Sequence, residues 1–257
     1  MSVEVRLVPC LSDNYAVLLR DSASNMVAAI DAPEPAPIVK ALEDAKWKLT
    51  HILVTHKHAD HIQGIPALKE RYGAKVIGPR AEADQIPALD EQVGEPDTVE
   101  VGSLRARVFD TPGHTAGHIC YWFDKEKLLF SADTLFALGC GRPFERPAAV
   151  LWESLLKLRK LPDDTVVYCG HEYTLANARF SVTVDPENTA LKARLAQIEK
   201  ARAANKPTVP SMLGEEKKTN PFLRADEPSV AAAVGMPGAD PAAVFTELRE
   251  RKNNFKG

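Results

Sequence analysis

The sequence predicts an α/β protein, with a mixed α/β domain over residues 1–172 and a smaller helical domain over residues 173–257. Three observations carry that expectation. Short apolar or alternating runs recur up to residue 169, interleaved with runs at helical spacing. After residue 172 only helical patterns continue. The chain has 257 residues, which at roughly 150 residues per domain is one to two domains, enough to bury a core without disulfide or metal staples.

The elements follow in chain order. Val3, Val5 and Leu7 alternate with polar residues and read as a strand. Residues 15–19 and 26–30 are apolar runs around the turn-forming stretch 21–25, which predicts a hairpin. Ile38, Leu42 and Ala45 give helical spacing over 35–45, and residues 51–54 form a short buried strand. Residues 65–72 read as a helix closed by Gly73, and 75–77 as a strand. Gly102-Ser103 turns a hairpin between 98–101 and 104–109. Two more strands lie at 119–123 and 127–130, and a helix with Leu151, Leu155 and Leu158 on one side covers 148–161. Residues 165–169 are the last expected strand. Asp185-Pro186-Glu187 carries a helix-start signature, with Leu191, Leu195 and Ile198 inward. A final helix spans 241–252 with Val244 and Leu248 inward.

Composition narrows the function classes. Thirty-two Lys and Arg against 35 Asp and Glu leave a formal charge of −3, without the basic surface that nonspecific nucleic-acid binding needs. No apolar run approaches the ~20 residues of a membrane span, and no secretory signal opens the chain. Cys10, Cys120, Cys140 and Cys169 form no C-x-x-C pair and read as buried reduced thiols of a cytoplasmic protein. No nucleic-acid or membrane partner is expected, and the chain reads as a monomer.

The seven histidines are unevenly spread. Thr55-His56-Lys57-His58-Ala59-Asp60-His61 places three imidazoles and a carboxylate directly after a strand. In extended backbone, positions i and i+2 point the same way, so His56 and His58 converge on one ion. Asp60 and His61 come where a helix begins near Ile62 and can face a second ion. Packing gives no reason for such a cluster, whereas imidazole and carboxylate suit zinc, iron or manganese. Further donors lie at strand exits: His114 in TPGHTAGH, Asp133 in SADT and His171 in GHE. His118 reads as a hydrogen-bonded core residue and His51 as an ordinary strand residue. Two ions about 3.5–4 Å apart would activate a bridging hydroxide near neutral pH and polarise a carbonyl. No G-x-S-x-G elbow or phosphate loop competes.

With these residues in place, the sequence resembles the metallo-β-lactamase superfamily, whose T-H-x-H-x-D-H signature is met by residues 55–61. Within it, the sequence is similar to the glyoxalase II (hydroxyacylglutathione hydrolase) family through PCLSDNYAVL (9–18), DTPGHTAGH (110–118), ADTLF (132–136), GCGR (139–142), GHEYT (170–174) and NPFLR (220–224). The resemblance implies an αββα sandwich with a C-terminal helical domain that helps bind glutathione. It implies that His56, His58 and His114 hold one divalent ion, that Asp60, His61 and His171 hold the other, and that Asp133 bridges them. Zinc is the expected metal, with iron or manganese accepted by the same donors. The implied reaction is hydrolysis of S-(2-hydroxyacyl)glutathione, chiefly S-D-lactoylglutathione, to D-lactate and glutathione by a metal-bridging hydroxide, as in methylglyoxal detoxification. Asp60 and Asp133 act in it through that hydroxide.

Glutathione contacts implied by the same resemblance are Arg142, Phe144, Tyr173, Arg249 and Lys252. Arg249 and Lys252, three apart on a helix face, suit the glycine carboxylate. The chain departs from the family pattern where a tyrosine is usual at Phe144, and in the loop residues Pro143 and Arg146. The competing readings are another hydrolase of the same fold, a mononuclear iron persulfide dioxygenase, and a non-catalytic metal protein.

Overall fold

The computed structural model describes residues 3–256. The described chain packs as two compact units, one comprising residues 3–111 and 115–132, the other Pro112–His114 and residues 133–256. Packing thus sends the short segment carrying His114 and everything from Asp133 onward into one unit.

The first unit is built on two sheets. One has six strands, in spatial order Val3–Cys10, Asn14–Asp21, Val27–Ile30, His51–Leu53, Lys75–Pro79 and Glu91–Val93. Its first three strands pair antiparallel and the rest are parallel. The parallel strands are linked through helices Pro35–Ala45 and Ile65–Tyr72, as parallel connections require. Those helices bury Ile38, Leu42, Ile65 and Leu68 against Leu18, Ala29, Ile52 and Val76. Gly73 closes the second helix in the left-handed conformation (φ 67°), which costs glycine nothing. The other strands are an antiparallel run, Thr98–Val101, Leu104–Asp110, Ile119–Phe123 and Leu128–Ala132. Every residue of its last two strands is buried. Tyr121 from this run donates its hydroxyl to the Val54 carbonyl at 2.7 Å, joining the two strand sets through a satisfied buried polar group.

The second unit is mainly helical. It contains Ala148–Arg159, Thr174–Val184, Thr189–Ala203, Leu213–Thr219, Pro228–Ala233 and Pro241–Asn254. Its core joins Leu138, Ala178, Leu191 and Ile198, and a chain of rings runs Phe180–Phe222–Phe245–Trp152. Three expectations need correction here. The helix anticipated at Asp185 begins at Thr189, capped by Asn188, whose side chain accepts the Leu191 N–H at 3.0 Å. Asp185 instead follows the helix Thr174–Val184, which the sequence reading did not propose, and pairs with Arg224. A short strand, Ser211–Met212, lies past residue 172 and pairs antiparallel with Val166–Cys169. The final helix runs Pro241–Asn254, with Asp240 accepting the Ala242 N–H at 2.7 Å and proline at its start. Among the described residues no helix is long and apolar enough to cross a membrane.

Candidate metal centre

In the first unit the histidine-rich segment leaves strand His51–Leu53 and enters the four-residue helix Ala59–Ile62, which starts three residues earlier than the Ile62 expectation. His56 and His61 are fully buried, whereas His58 and Asp60 are partly exposed. His56 Nε2 and His58 Nδ1 lie 3.1 Å apart. Two nitrogens at ~2.05 Å from a tetrahedral zinc are separated by roughly 3.3 Å, so this spacing fits a shared ion. His61 Nε2 lies 3.8 Å from Asp60 Oδ2. Asn14 holds Asp60 by donating to its backbone carbonyl (3.1 Å) and to Oδ2 (3.0 Å).

Behind the cluster lies Asp31, which the sequence reading missed. It sits at the exit of strand Val27–Ile30, 2% exposed, with left-handed backbone (φ 57°). Its Oδ1 accepts the Thr55 N–H and its Oδ2 the Thr55 hydroxyl, both at 2.8 Å. Oδ2 also accepts His61 Nδ1 at 2.8 Å. The Thr55 hydroxyl, having given its proton to Asp31, accepts from His56 Nδ1 at 3.0 Å. Both imidazoles therefore carry their proton on Nδ1 and present a bare Nε2, the form a metal needs. Asp31, His56 and His61 also bring ligand atoms within 4.8 Å of one another. The Asp31 oxygens are committed to Thr55 and His61 Nδ1, so this carboxylate orients the two imidazoles.

Glu82 was also missed. Buried, it accepts Lys57 N–H at 2.8 Å and Gly117 N–H at 2.9 Å, pinning the histidine segment to the loop before His118. A Cβ on Gly117 would sit 2.7 Å from Ala81 Cβ and Glu82 Cγ, so the close approach needs glycine there. His118 is buried, stacks on His56 at 4.8 Å and meets the Thr111 hydroxyl at 3.0 Å, a core role as expected. His51 is half-buried beside the Thr50 hydroxyl.

In the second unit Asp133 Oδ2 lies 3.3 Å from both His114 Nε2 and His171 Nε2. All three residues are buried. One carboxylate oxygen equidistant from two imidazole nitrogens is what a bridging ligand requires, and 3.3 Å again matches donors on common ions. His114 Nδ1 meets the Arg142 carbonyl at 2.9 Å. A carbonyl only accepts, so Nδ1 carries the proton and Nε2 is bare. Burial pushes the Cys169 thiol up to about 12, and its Sγ lies 3.5 Å from the His171 carbonyl. Burial also raises Cys140, against the Arg249 guanidinium beside it.

The expected substrate residues divide into exposed and internal groups. Tyr173 is 38% exposed and stacks nearly parallel on His171 at 4.7 Å. Phe144 is 59% exposed, 5.3 Å from His114, with the exposed Arg142 guanidinium 5.3 Å above its ring. Lys252 is half-buried, over the rings of Phe180 and Phe255, and donates to the Ala176 carbonyl at 3.0 Å. Arg249 is buried, with protein partners on its guanidinium.

The family model described as "Metallo-beta-lactamase superfamily" matches residues 18–171, and "Hydroxyacylglutathione hydrolase C-terminus" matches 172–255. A protein of Rhodopseudomonas palustris (strain BisB5) named "Hydroxyacylglutathione hydrolase" is 56% identical, covering 99% of this chain and 100% of its own. One of the same name from Rhizobium meliloti (strain 1021) is 54% identical over 99% of each. The crystal structure of ETHE1 from Myxococcus xanthus superposes with a TM-score of 0.70 at 28% identity, covering 98% of this chain and 92% of that one. The BLEG-1 B3 metallo-beta-lactamase shares the fold, with a TM-score of 0.67 at 22% identity over 86% and 99% of the two chains.

Proposed function

The chain belongs to the hydroxyacylglutathione hydrolase family of the metallo-β-lactamase superfamily, and from that premise we propose that it hydrolyses S-(2-hydroxyacyl)glutathione thioesters, chiefly S-D-lactoylglutathione. Its fold is that of the superfamily, a mixed α/β sandwich with a C-terminal helical region. The observation that carries the reading is the donor set itself: His56, His61 and His114 are held through Nδ1, which leaves Nε2 bare, and Asp133 Oδ2 lies 3.3 Å from the Nε2 atoms of His114 and His171.

His56, His58 and His114 are assigned to one divalent ion, Asp60, His61 and His171 to the other, and Asp133 to both. The nitrogen and oxygen donors suit zinc, and iron or manganese equally. Ions bound there supply an activated water at neutral pH and polarisation of the thioester carbonyl. The protein's part is orientation. Asp31 and Thr55 set His56 and His61, the Arg142 carbonyl sets His114, and Asn14 sets Asp60. Water adds to the acyl carbon, the C–S bond breaks, and the hydroxy acid leaves with the oxygen. The thiolate is a good leaving group, so no dedicated general acid is required.

Tyr173, Phe144 and Arg142 offer rings and a guanidinium to the tripeptide, and the Lys252 ammonium offers a charge to a carboxylate. Residues 173–257 form the substrate-binding domain in this reading. Four buried free cysteines fit a reducing, cytoplasmic setting, and the thioester substrate fits a role in methylglyoxal detoxification. The test is metal analysis of the purified chain with a panel of glutathione thioesters. About two ions per chain and metal-dependent thiol release from S-D-lactoylglutathione are expected. One iron per chain with sulfite production from glutathione persulfide would overturn the assignment.

A further inference from the structure

The C-terminal helix reaches the donors of the second unit through three consecutive residues. Arg249 lies on the helix Pro241–Asn254 and is only 7% exposed. Its Nε and Nη2 donate to Asn253 Oδ1 at 3.2 and 3.0 Å. Its Nη1 donates to the Cys140 carbonyl at 3.0 Å, and its guanidinium carbon lies 5.1 Å from the Phe222 ring centre. Cys140 ends the small hairpin formed by Leu135–Phe136 and Gly139–Cys140. The next residue, Gly141, donates its N–H to the Thr134 carbonyl at 3.2 Å. A Cβ there would lie 1.9 Å from the Asp133 carbonyl oxygen and 3.2 Å from His114 Cβ. The residue after that, Arg142, supplies the carbonyl that holds His114 Nδ1 at 2.9 Å.

We propose that Arg249 is a positioning residue for the metal donors: by gripping the Cys140 carbonyl it fixes the 140–142 backbone, which in turn sets the His114 tautomer and backs Asp133. The inference rests on the proposed ligand roles of His114 and Asp133. It gives Arg249 a task in addition to recognition of the glycine carboxylate. Of its five N–H groups, three are committed to Asn253 and Cys140. That bracing from two sides is what a planar guanidinium does and an ammonium cannot. Lys252, one helical turn on, offers a second charge to the substrate carboxylate. Asn253 has no ligand role in this scheme and serves only to hold the guanidinium plane. Gly141 explains why the coupling is tight: the loop touches the Asp133 backbone so closely that a shift in one moves the other.

The test uses the full-length, metal-loaded protein and follows metal loss to a chelator in the absence of substrate. Arg249→Lys is expected to speed that loss about tenfold, the usual scale for groups that orient a ligand. Asn253→Ala, at an exposed position, moves it severalfold in the same direction, and carries the test if Arg249→Lys fails to fold. Lys252→Met is expected to raise KM while leaving metal loss unchanged. Imidazole nitrogen shifts of metal-free Arg249→Lys should show His114 leaving the pure Nδ1–H form. Metal loss at the wild-type rate in folded Arg249→Lys, or in Asn253→Ala where the first does not fold, overturns the proposal. His114→Ala separates the two levels. If it also kept its metal at the wild-type rate, the ligand assignment would be at fault and not the prop.

Discussion

Replacing Asp31 by asparagine is the most informative single change in the first unit. Asparagine has the same shape and tolerates the left-handed backbone at this position (φ 57°), so the fold survives. Its orientation is forced. The Thr55 N–H needs an acceptor, so the amide oxygen must take the Oδ1 place and the NH2 the Oδ2 place. There the NH2 faces the Thr55 hydroxyl and His61 Nδ1. His61 must then accept at Nδ1 and carry its proton on Nε2. The Thr55 hydroxyl must also accept from the amide, which turns its own proton toward His56 Nδ1 and puts that imidazole's proton on Nε2 too. One oxygen-to-nitrogen exchange thus blocks two proposed ligands, one for each ion. Losing the orienting partner of one ligand costs about 10–100-fold in metal affinity, so each of the two ions should bind about 10–100-fold more weakly. The assay is metal content after dialysis against a graded chelator, with circular dichroism to confirm the fold. Asp31→Ala is the contrast. It strands the donors of Thr55 and His61 at about 1–3 kcal/mol each and puts alanine where positive φ costs about 1–2 kcal/mol, so it destabilises the fold itself. Wild-type metal affinity in folded Asp31→Asn would refute the tautomer argument.

Three further outcomes are expected. Asp133→Ala should lose most of kcat and half or more of the bound metal; near-normal turnover in steady-state kinetics would exclude bridging. Burial and the Arg249 charge lower the Lys252 ammonium to about 8, so its positive charge is present below that pH and lost above it. KM for an anionic glutathione thioester should therefore rise through about pH 8, and Lys252→Arg should flatten that rise in a pH–KM series. Glu216 is fully buried, pairs with Arg194 and accepts from the Leu138 N–H (2.8 Å) and Asn220 Nδ2 (3.2 Å). Glu216→Ala leaves the buried Arg194 with the more exposed Glu215 carboxylate (3.3 Å) as its ion partner and strands the Leu138 N–H, costing about 3 kcal/mol, and calorimetry should show Tm falling by about 2–4 °C per kcal/mol.

What could be read from the sequence depended on where the determining contacts lie. The histidine segment at 55–61 was legible because its residue types have no packing explanation, and the donors at 114, 133 and 171 stand at strand exits. Asp31 was not, because an aspartate before Ala32-Pro33 looks like ordinary turn chemistry until its carboxylate is seen against Thr55 and His61. Asn14 and Glu82 escaped for the same reason: each acts on a loop distant in sequence. The start signal at Asp185 misled because Arg224 and Asn188 claim that carboxylate, leaving Asn188 to cap the helix. Helix Thr174–Val184 buries Thr174, Asn177, Ala178, Phe180, Ser181 and Val184, so polar and apolar residues mix inside and no stripe appears. Two-residue strands such as Ser211–Met212 are too short to show any period.

The Glu82 carboxylate has a consequence for how the first unit can vary. It receives the backbone of residue 57 on one oxygen and that of residue 117 on the other. A backbone amide is held whatever side chain it carries, so at residue 57 the clasp constrains the path of the loop, while at 117 the close approach adds a demand for glycine. An inserted or deleted residue in either loop would break registry with the other. The two loops are thereby tied in length.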